Sequence, residues 1–258
     1  MSAVGARTIA IAVLLLSVSS TLLGQRGDPR PGNSTRPFSR TPAMFHHQVT
    51  KLGERIRVSG KEATLYTGEL VDAAGKNSSA QVIYQTPGLV RLVGFTSGQP
   101  LSFDEDIARG VASRDDEVLL ETFVMDFPEG MLASVQRSGA VRLLGIGVGP
   151  DPRKNPGYSG PRYDIFEVTG PVRTRIDRFV SSKMYYFDSH SGLLIKTLTI
   201  DRSRPTPVEM ETRFLNWQTI DGSAYPSRID RFEAGRLVFS FTVRSINAGP
   251  AVEAGQFR

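Results

Sequence analysis

The sequence contains no cysteine among its 258 residues. This absence excludes disulfide bonds and thiolate chemistry. Small exported domains often depend on disulfides, whereas a chain of roughly 200 residues buries enough apolar surface to be stable without them. We therefore expect one large domain that is stabilised by a hydrophobic core.

Groups suited to metal binding and catalysis are also scarce. The histidines are His46, His47 and His190, and their positions match neither a metal site nor a catalytic triad. The acidic run Asp104–Asp106 lacks the alternate spacing and the glycine turn of a calcium-binding loop. The glycines of Gly145–Gly149 precede prolines and not the helix N-terminus of a phosphate-binding loop. The sequence therefore predicts no catalytic residue, no metal site and no cofactor.

The N-terminal apolar run, Thr8–Leu16, is too short to be a typical membrane span, which needs about 20 residues. Arg7 precedes the run and small polar residues follow it, which is the pattern of a secretory signal peptide. We assign residues 1–25 to this signal. Gln25 stands where a bacterial lipoprotein carries its lipid-modified cysteine, so we expect an unacylated mature protein that is periplasmic or secreted. An uncleaved N-terminal anchor is the alternative.

Residues 26–42 contain almost nothing apolar, and we expect them to form a disordered, Arg/Pro-rich leader. This leader is either a solvated spacer or a weak contact with an anionic membrane surface. Its arginines are Arg26, Arg30, Arg36 and Arg40. The formal net charge of the whole chain is +5, but only about +1 remains once the signal and leader are set aside, which argues against nucleic acid as a partner.

The remaining chain is dominated by the alternating patterns of half-buried antiparallel strands. Met210, Thr212 and Phe214 alternate with charged residues, and the same period returns over Leu237–Val243. Turn sequences separate the strands, as at Asp188–Gly192 and Glu233–Gly235. Further predicted elements are a short helix at Phe45–Arg57 and strands at Ala63–Glu69, Ser79–Gln85 and Leu89–Gly94. An α+β fold follows, with an antiparallel sheet that is covered on one face.

One segment shows strong helical periodicity. Ser113 and the acids after it form a capping start, and the apolar residues that follow lie on one wide stripe. Pro128 breaks or restarts this helix. The stripe is either a lid over a ligand cavity or a plug that fills the covered face of the sheet. Its candidate ligand-binding residues, in a lid or pocket, are Leu119, Leu120, Phe123, Val124, Phe127, Met131 and Leu132.

Two motifs in the second half of the chain carry a family resemblance. Tyr185–Leu194 is similar to a "strand, D-x-x-T/S-G-L-L, strand" hairpin. Phe214–Pro226 is similar to an "F-x-x-Y/W-x-x-v-D-G-x-x-l-P" run, and Phe257 closes the pattern. Over roughly Lys183–Phe257 the chain thereby resembles the LolA-like superfamily of periplasmic lipoprotein carriers, notably its divergent outer-membrane lipoprotein-sorting members.

This resemblance implies a fold and a ligand class. The implied fold is a curved antiparallel β half-barrel over residues 43–258, with short helices covering its concave face. The apolar hollow of such proteins takes acyl chains, and the helical segment Val118–Arg137 suits the lid. The resemblance thus implies a non-enzymatic carrier or binding protein in the periplasm, whose partner is an acyl chain, a lipid or a lipoprotein.

Two other functions stay open from the sequence. The first is a structural or regulatory interaction module of the cell envelope, which would have the same sheet, a filled core and no ligand. The second is an enzyme. Asp164, Glu167 and Asp188 are carboxylates of the type that hydrolases use, although ordinary surface acids have the same appearance in a sequence.

Overall fold

The structure is a computed structural model. It describes residues 41–56, 63–85, 89–95, 99–104, 107–127, 140–150, 153–154, 157, 159–173, 178–201, 205–220 and 222–249. These residues belong to one unit, 39–258. The predicted signal peptide, residues 26–40 of the leader, Met131 and Leu132 lie outside the described residues. In the described part of the chain, no helix is long and apolar enough to cross a membrane.

The described residues form two α-helices, a π-helical turn and twelve strands. The helical elements are α1 (Thr41–Ile56), α2 (Arg114–Glu121) and the turn π1 (Thr122–Asp126). The strands are β1 (Ala63–Asp72), β2 (Asn77–Gln85), β3 (Leu89–Val93), β4 (Leu101–Asp104), β5 (Ile107–Arg109), β6 (Ala140–Val148), β7 (Tyr163–Arg173), β8 (Arg178–Asp188), β9 (Leu194–Asp201), β10 (Val208–Ile220), β11 (Ser223–Glu233) and β12 (Arg236–Gly249).

All twelve strands join one antiparallel sheet in the order β5-β4-β3-β2-β1-β12-β11-β10-β9-β8-β7-β6. The order consists of two meanders, β1–β5 and β6–β12, that meet where the first strand pairs with the last. Among the described residues the sheet is open, with β5 and β6 at its two ends. The predicted combination of an antiparallel sheet with short helices is confirmed, and the open sheet is consistent with a curved half-barrel.

The predicted strand phases are largely confirmed. Met210, Thr212 and Phe214 are all buried, as their alternation with charged residues predicts. Glu211 departs from this alternation and is also buried, because it forms ion pairs with Lys196 and Arg213. Both predicted hairpin turns contain a glycine with positive φ, 70° at Gly192 and 73° at Gly235. Leu237 departs from its predicted inward position and is 37% exposed, because it lies beside the β11–β12 turn, where the register of this pair shifts.

The helices begin and end differently from their sequence predictions. α1 begins at Thr41 and so takes in the last two residues of the predicted leader; Pro42 is tolerated in a first helical turn because the free N–H groups there need no helical partner. α2 has the predicted cap, since Ser113 and Asp116 form a reciprocal capping box. After Glu121 the helix widens into π1, where the Phe127 N–H donates to the Thr122 carbonyl at 2.9 Å.

The helices pack on different strands of the sheet within one core cluster. Phe45 of α1 contacts the rings of Phe166, Tyr185 and Phe187 on β7 and β8, with centroid distances of 5.3, 5.5 and 6.3 Å. Phe123 of π1 contacts Phe241 on β12. Hydrophobic burial on the sheet therefore holds both helical segments.

Gly68 marks a close approach between β1 and β12. The register of this pair shifts between Thr67 and Gly68. A Cβ atom at residue 68 would lie 2.2 Å from the Thr242 carbonyl oxygen and 2.9 Å from a ring carbon of Phe241. Only glycine fits this irregularity, because any side chain would overlap the backbone of the neighbouring strand.

We expect Gly68→Ala to lower the free energy of unfolding by about 1–3 kcal/mol, the typical cost of overpacking. Gly249→Ala is the matched control, because a Cβ at residue 249 meets no atom within 4 Å and Gly249 lies in the same strand pair. The control should stay within about 0.5 kcal/mol of the wild type. Urea denaturation measures both variants, and equal stability of the two would contradict the steric explanation.

Candidate functional site

The helical stripe lies against the sheet. Leu119, Leu120, Phe123 and Phe127 are buried, and the half-buried Val124 packs against the same core. The structure therefore brings together the five described residues of the predicted ligand-binding set. In this conformation their side chains occupy the apolar face of the sheet.

Aromatic contacts attach this stripe to strands from both meanders. The Phe127 ring stacks on Tyr84 with a centroid distance of 5.0 Å and contacts Tyr66 edge-on at 5.1 Å. It also reaches Phe214 on β10, at 6.5 Å. The Tyr84 hydroxyl donates a hydrogen bond to the Phe123 carbonyl at 2.6 Å. The sheet thus holds the stripe by ring contacts and by one buried hydrogen bond to its backbone.

A small pocket lies where α1 meets β1, β11 and β12. Ile56, Tyr66, Tyr225 and Ile246 contribute to its walls. Its volume of about 20 Å³ holds roughly one water molecule. A space of this size is too small for an acyl chain.

A buried ionic cluster fastens the end of π1 to the sheet. We call it the Asp126 clamp; it comprises Asp126, Lys183, Thr212 and Arg231. Arg231 Nη1 donates to Asp126 Oδ2 at 2.8 Å, and Thr212 Oγ1 donates to the same oxygen at 2.6 Å. Lys183 Nζ donates to Asp126 Oδ1. One carboxylate of the helical segment therefore joins π1 to β8, β10 and β11.

Burial strengthens the electrostatic interactions within the clamp. The side chains of Arg231 and Asp126 are 2% and 3% exposed, and that of Lys183 is 14% exposed. Burial opposes ionisation of Asp126, but the charges of Lys183 and Arg231 outweigh it and hold the pKa of Asp126 below its usual range. Burial likewise opposes the Lys183 charge, and Asp126 raises the pKa of Lys183 above its usual value. Both groups are therefore ionised at neutral pH.

Glu121, the last residue of α2, is a second carboxylate that interacts with the charges of the clamp. Glu121 is half-buried, and its burial raises the pKa of its side chain; the charge of Arg231 offsets part of this effect, while Asp126 adds to it. Glu121 and Asp126 both belong to the α2–π1 segment, whereas Lys183 and Arg231 belong to the sheet. The electrostatic attraction therefore acts between the helical segment and the sheet.

Sequence reasoning missed the Asp126 clamp. A signal was nevertheless present, because Lys183 and Arg231 lie in phase with buried residues of their own strands. Lys183 is two residues before Tyr185, and Arg231 is two residues after Ile229. A charged side chain at an inward strand position needs a buried partner.

Each of the carboxylates considered for hydrolysis has hydrogen-bond or ion-pair partners of its own. Asp164 Oδ1 accepts hydrogen bonds from Ser189 Oγ at 2.6 Å and from the backbone N–H of residue 147. Glu167 forms an exposed ion pair with Arg142 at 2.6 Å. Asp188 accepts two hydrogen bonds within its own turn. Each carboxylate has a local structural partner, and the described residues contain no group of three or more potential metal ligands.

We expect Glu121→Gln to stabilise the protein at neutral pH and to have no effect in acid. The pKa of Glu121 in the folded protein lies above its ordinary value of 4.5. The contribution of this group to the free energy of unfolding is therefore fully present below that value and is lost as the pH rises through the folded-state pKa. Thermal melts from about pH 4 to 8 should therefore show that the Tm of the variant rises above the Tm of the wild type as the pH increases beyond the ordinary pKa. Glu117→Gln is the control, because the Glu117 side chain on α2 is 35% exposed. A Tm difference between Glu121→Gln and the wild type that does not change with pH would contradict this account.

No protein-family model and no curated protein matches the chain. Solved structures do match. A LolA superfamily protein from Nitrosomonas europaea is 13% identical with a TM-score of 0.53, and the match covers 83% of this chain and 96% of that one. An outer membrane lipoprotein-sorting protein domain from Vibrio parahaemolyticus is 10% identical with a TM-score of 0.52, over 82% of this chain and 95% of that one. At these identities the likeness concerns the fold, and the chain therefore has a divergent LolA-like fold.

Proposed function

We propose that this protein is a non-enzymatic carrier or binding protein of the periplasm, whose cargo is a lipid or a lipidated protein. In this proposal α1 and the α2–π1 segment cover the concave face of a β half-barrel, and the stripe residues form the lid and pocket. The arginines of the leader add a weak contact with an anionic membrane surface. The LolA-like fold supports the proposal, since one of the two similar proteins is named for lipoprotein sorting.

The observation that carries the proposal is the nature of the contact between the stripe and the sheet. Phe123 and Phe127 occupy the apolar face as side chains of a short segment, separate from the strands. A chain of twelve methylenes gains about 10 kcal/mol on burial, whereas exposing two phenylalanine side chains costs about 6 kcal/mol. The gain from burying the acyl chain therefore exceeds the cost of exposing these two rings.

A second candidate is a structural or regulatory module of the cell envelope with a permanently filled core. Its supporting observation is the tight packing of the stripe. Phe123 is fully buried, and the pocket beside Tyr66, which contacts Phe127, has a volume of only about 20 Å³. The two candidates differ in whether the α2–π1 segment leaves the sheet under native conditions.

We expect mature protein, purified from the periplasm and delipidated, to take up an acyl-chain ligand. Native mass spectrometry, followed by organic extraction of the bound material, should show discrete adducts that extract as lipid. A clean ligand-free mass, together with a cooperative melt that added lipid does not change, would favour the module with a filled core.

Phe123→Glu should separate the lid from the core plug. If the segment is a lid, the charged side chain leaves the apolar face, the sheet stays folded and acyl-chain binding is lost. Ile146→Glu is the matched control, because Ile146 is 60% exposed on β6. Circular dichroism and acyl-chain binding measure the outcome. Loss of the cooperative melt in Phe123→Glu alone would contradict the lid and support the plug.

A further inference from the structure

The inward faces of β8 to β11 divide into a polar end and an apolar end. Thr212 on β10 pairs with Arg231 on β11 and with Thr197 on β9, and Lys183 lies at the same end of β8. The strands continue into a buried apolar end that comprises Phe187, Leu194, Phe214 and Ile229. A head-and-tail molecule would find polar donors at one end of this surface and apolar contacts at the other.

Within the clamp, the sheet supplies the two cations and the α2–π1 segment supplies the carboxylate, while the sheet's own acid Glu233 lies two residues after Arg231 on β11. Lys183 Nζ, Thr212 Oγ1 and Arg231 Nη1 all donate to Asp126. Arg231 also has a buried Nε with no hydrogen-bond partner. Two carboxylates, Asp126 and Glu121, raise the pKa of Lys183 together with Tyr185 of the same strand, and both carboxylates lie on the α2–π1 segment.

Displacement of the α2–π1 segment would therefore remove both acids at once. Lys183 and Arg231 would remain at the polar end without the carboxylate to which both of them donate. Leaving a buried charge unpaired is strongly unfavourable. A cargo that only fills the apolar end does not offset this cost, whereas a cargo with a negatively charged head group does.

We propose that the cargo is an amphiphile with an anionic head group, a carboxylate or a phosphate, that takes the place of the Asp126 carboxylate between Lys183 and Arg231. The hydrocarbon chain then lies on the apolar end of β8 to β11. This inference rests on the proposed carrier function and adds the chemical class of the head group. Asp126 is in this view a built-in competitor, which holds the segment closed until an anion replaces it.

Three ligands with the same hydrocarbon chain test the head group: dodecanoate, dodecyl phosphate and dodecanol. Each is titrated into the full mature protein below its aggregation concentration, and binding is followed by calorimetry and native mass spectrometry. Dodecanoate or dodecyl phosphate should bind about tenfold or more tightly than dodecanol, because charge-assisted hydrogen bonds are the stronger kind. Which anion binds more tightly distinguishes a fatty acid from a phospholipid source.

Variants of the clamp test the location of the head group. Lys183→Gln should abolish the preference for the anions, and Arg231→Gln should do the same where its melt shows that it folds. Asp126→Asn should strengthen anion binding, because it removes the competing charge in a side chain of the same shape. Lys196→Gln is the matched control, since Lys196 on β9 pairs with Glu211 at 2.9 Å outside the clamp, and it should keep the preference.

The outcomes separate this inference from the proposed function. Equal affinity of wild-type protein for all three ligands would overturn the anionic head group and leave the carrier function standing. A preference that persists in Lys183→Gln would overturn the proposed location. Binding of none of the three, while the protein gives a cooperative melt, would overturn both.

Discussion

The structure depends on the buried contact between one carboxylate of the helical segment and two cations of the sheet. Asp126 joins π1 to three strands through Lys183, Thr212 and Arg231. Removing one partner of such a buried pair typically costs about 3–5 kcal/mol. The hydrophobic effect is non-directional, whereas the hydrogen bonds of the clamp fix the position of Asp126 on the sheet.

The π-helical turn explains how Asp126 reaches this position. Thr122 Oγ1 donates to the Val118 carbonyl at 2.8 Å, and the Phe127 N–H reaches back five residues to Thr122. The wider turn places Asp126 on the clamp while Phe123 and Phe127 stay on the aromatic surface. The polar and apolar contacts of the segment are therefore coupled, and a ligand that replaces one must also disturb the other.

Much of the fold is predictable from local patterns. The alternation of Met210, Thr212 and Phe214, the turn at Gly235 and the cap at Ser113 each depend on residues close in sequence, and all three appear as predicted. The pairing of β1 with β12 is not predictable in this way, because nothing local specifies which strands far apart in the chain become neighbours. For the same reason, the sequence does not predict that the two meanders join into one sheet.

The sequence by itself determined the α+β class, the positions of most strands and the apolar stripe, since these follow from side-chain periodicity and turn chemistry over a few residues. Only the tertiary structure decided that the stripe packs against the apolar face of the sheet and that Asp126 meets its cations. Lys183 is 57 residues from Asp126, and Arg231 is 105 residues from it. Their meeting depends on the strand order of the whole sheet, which no local pattern contains.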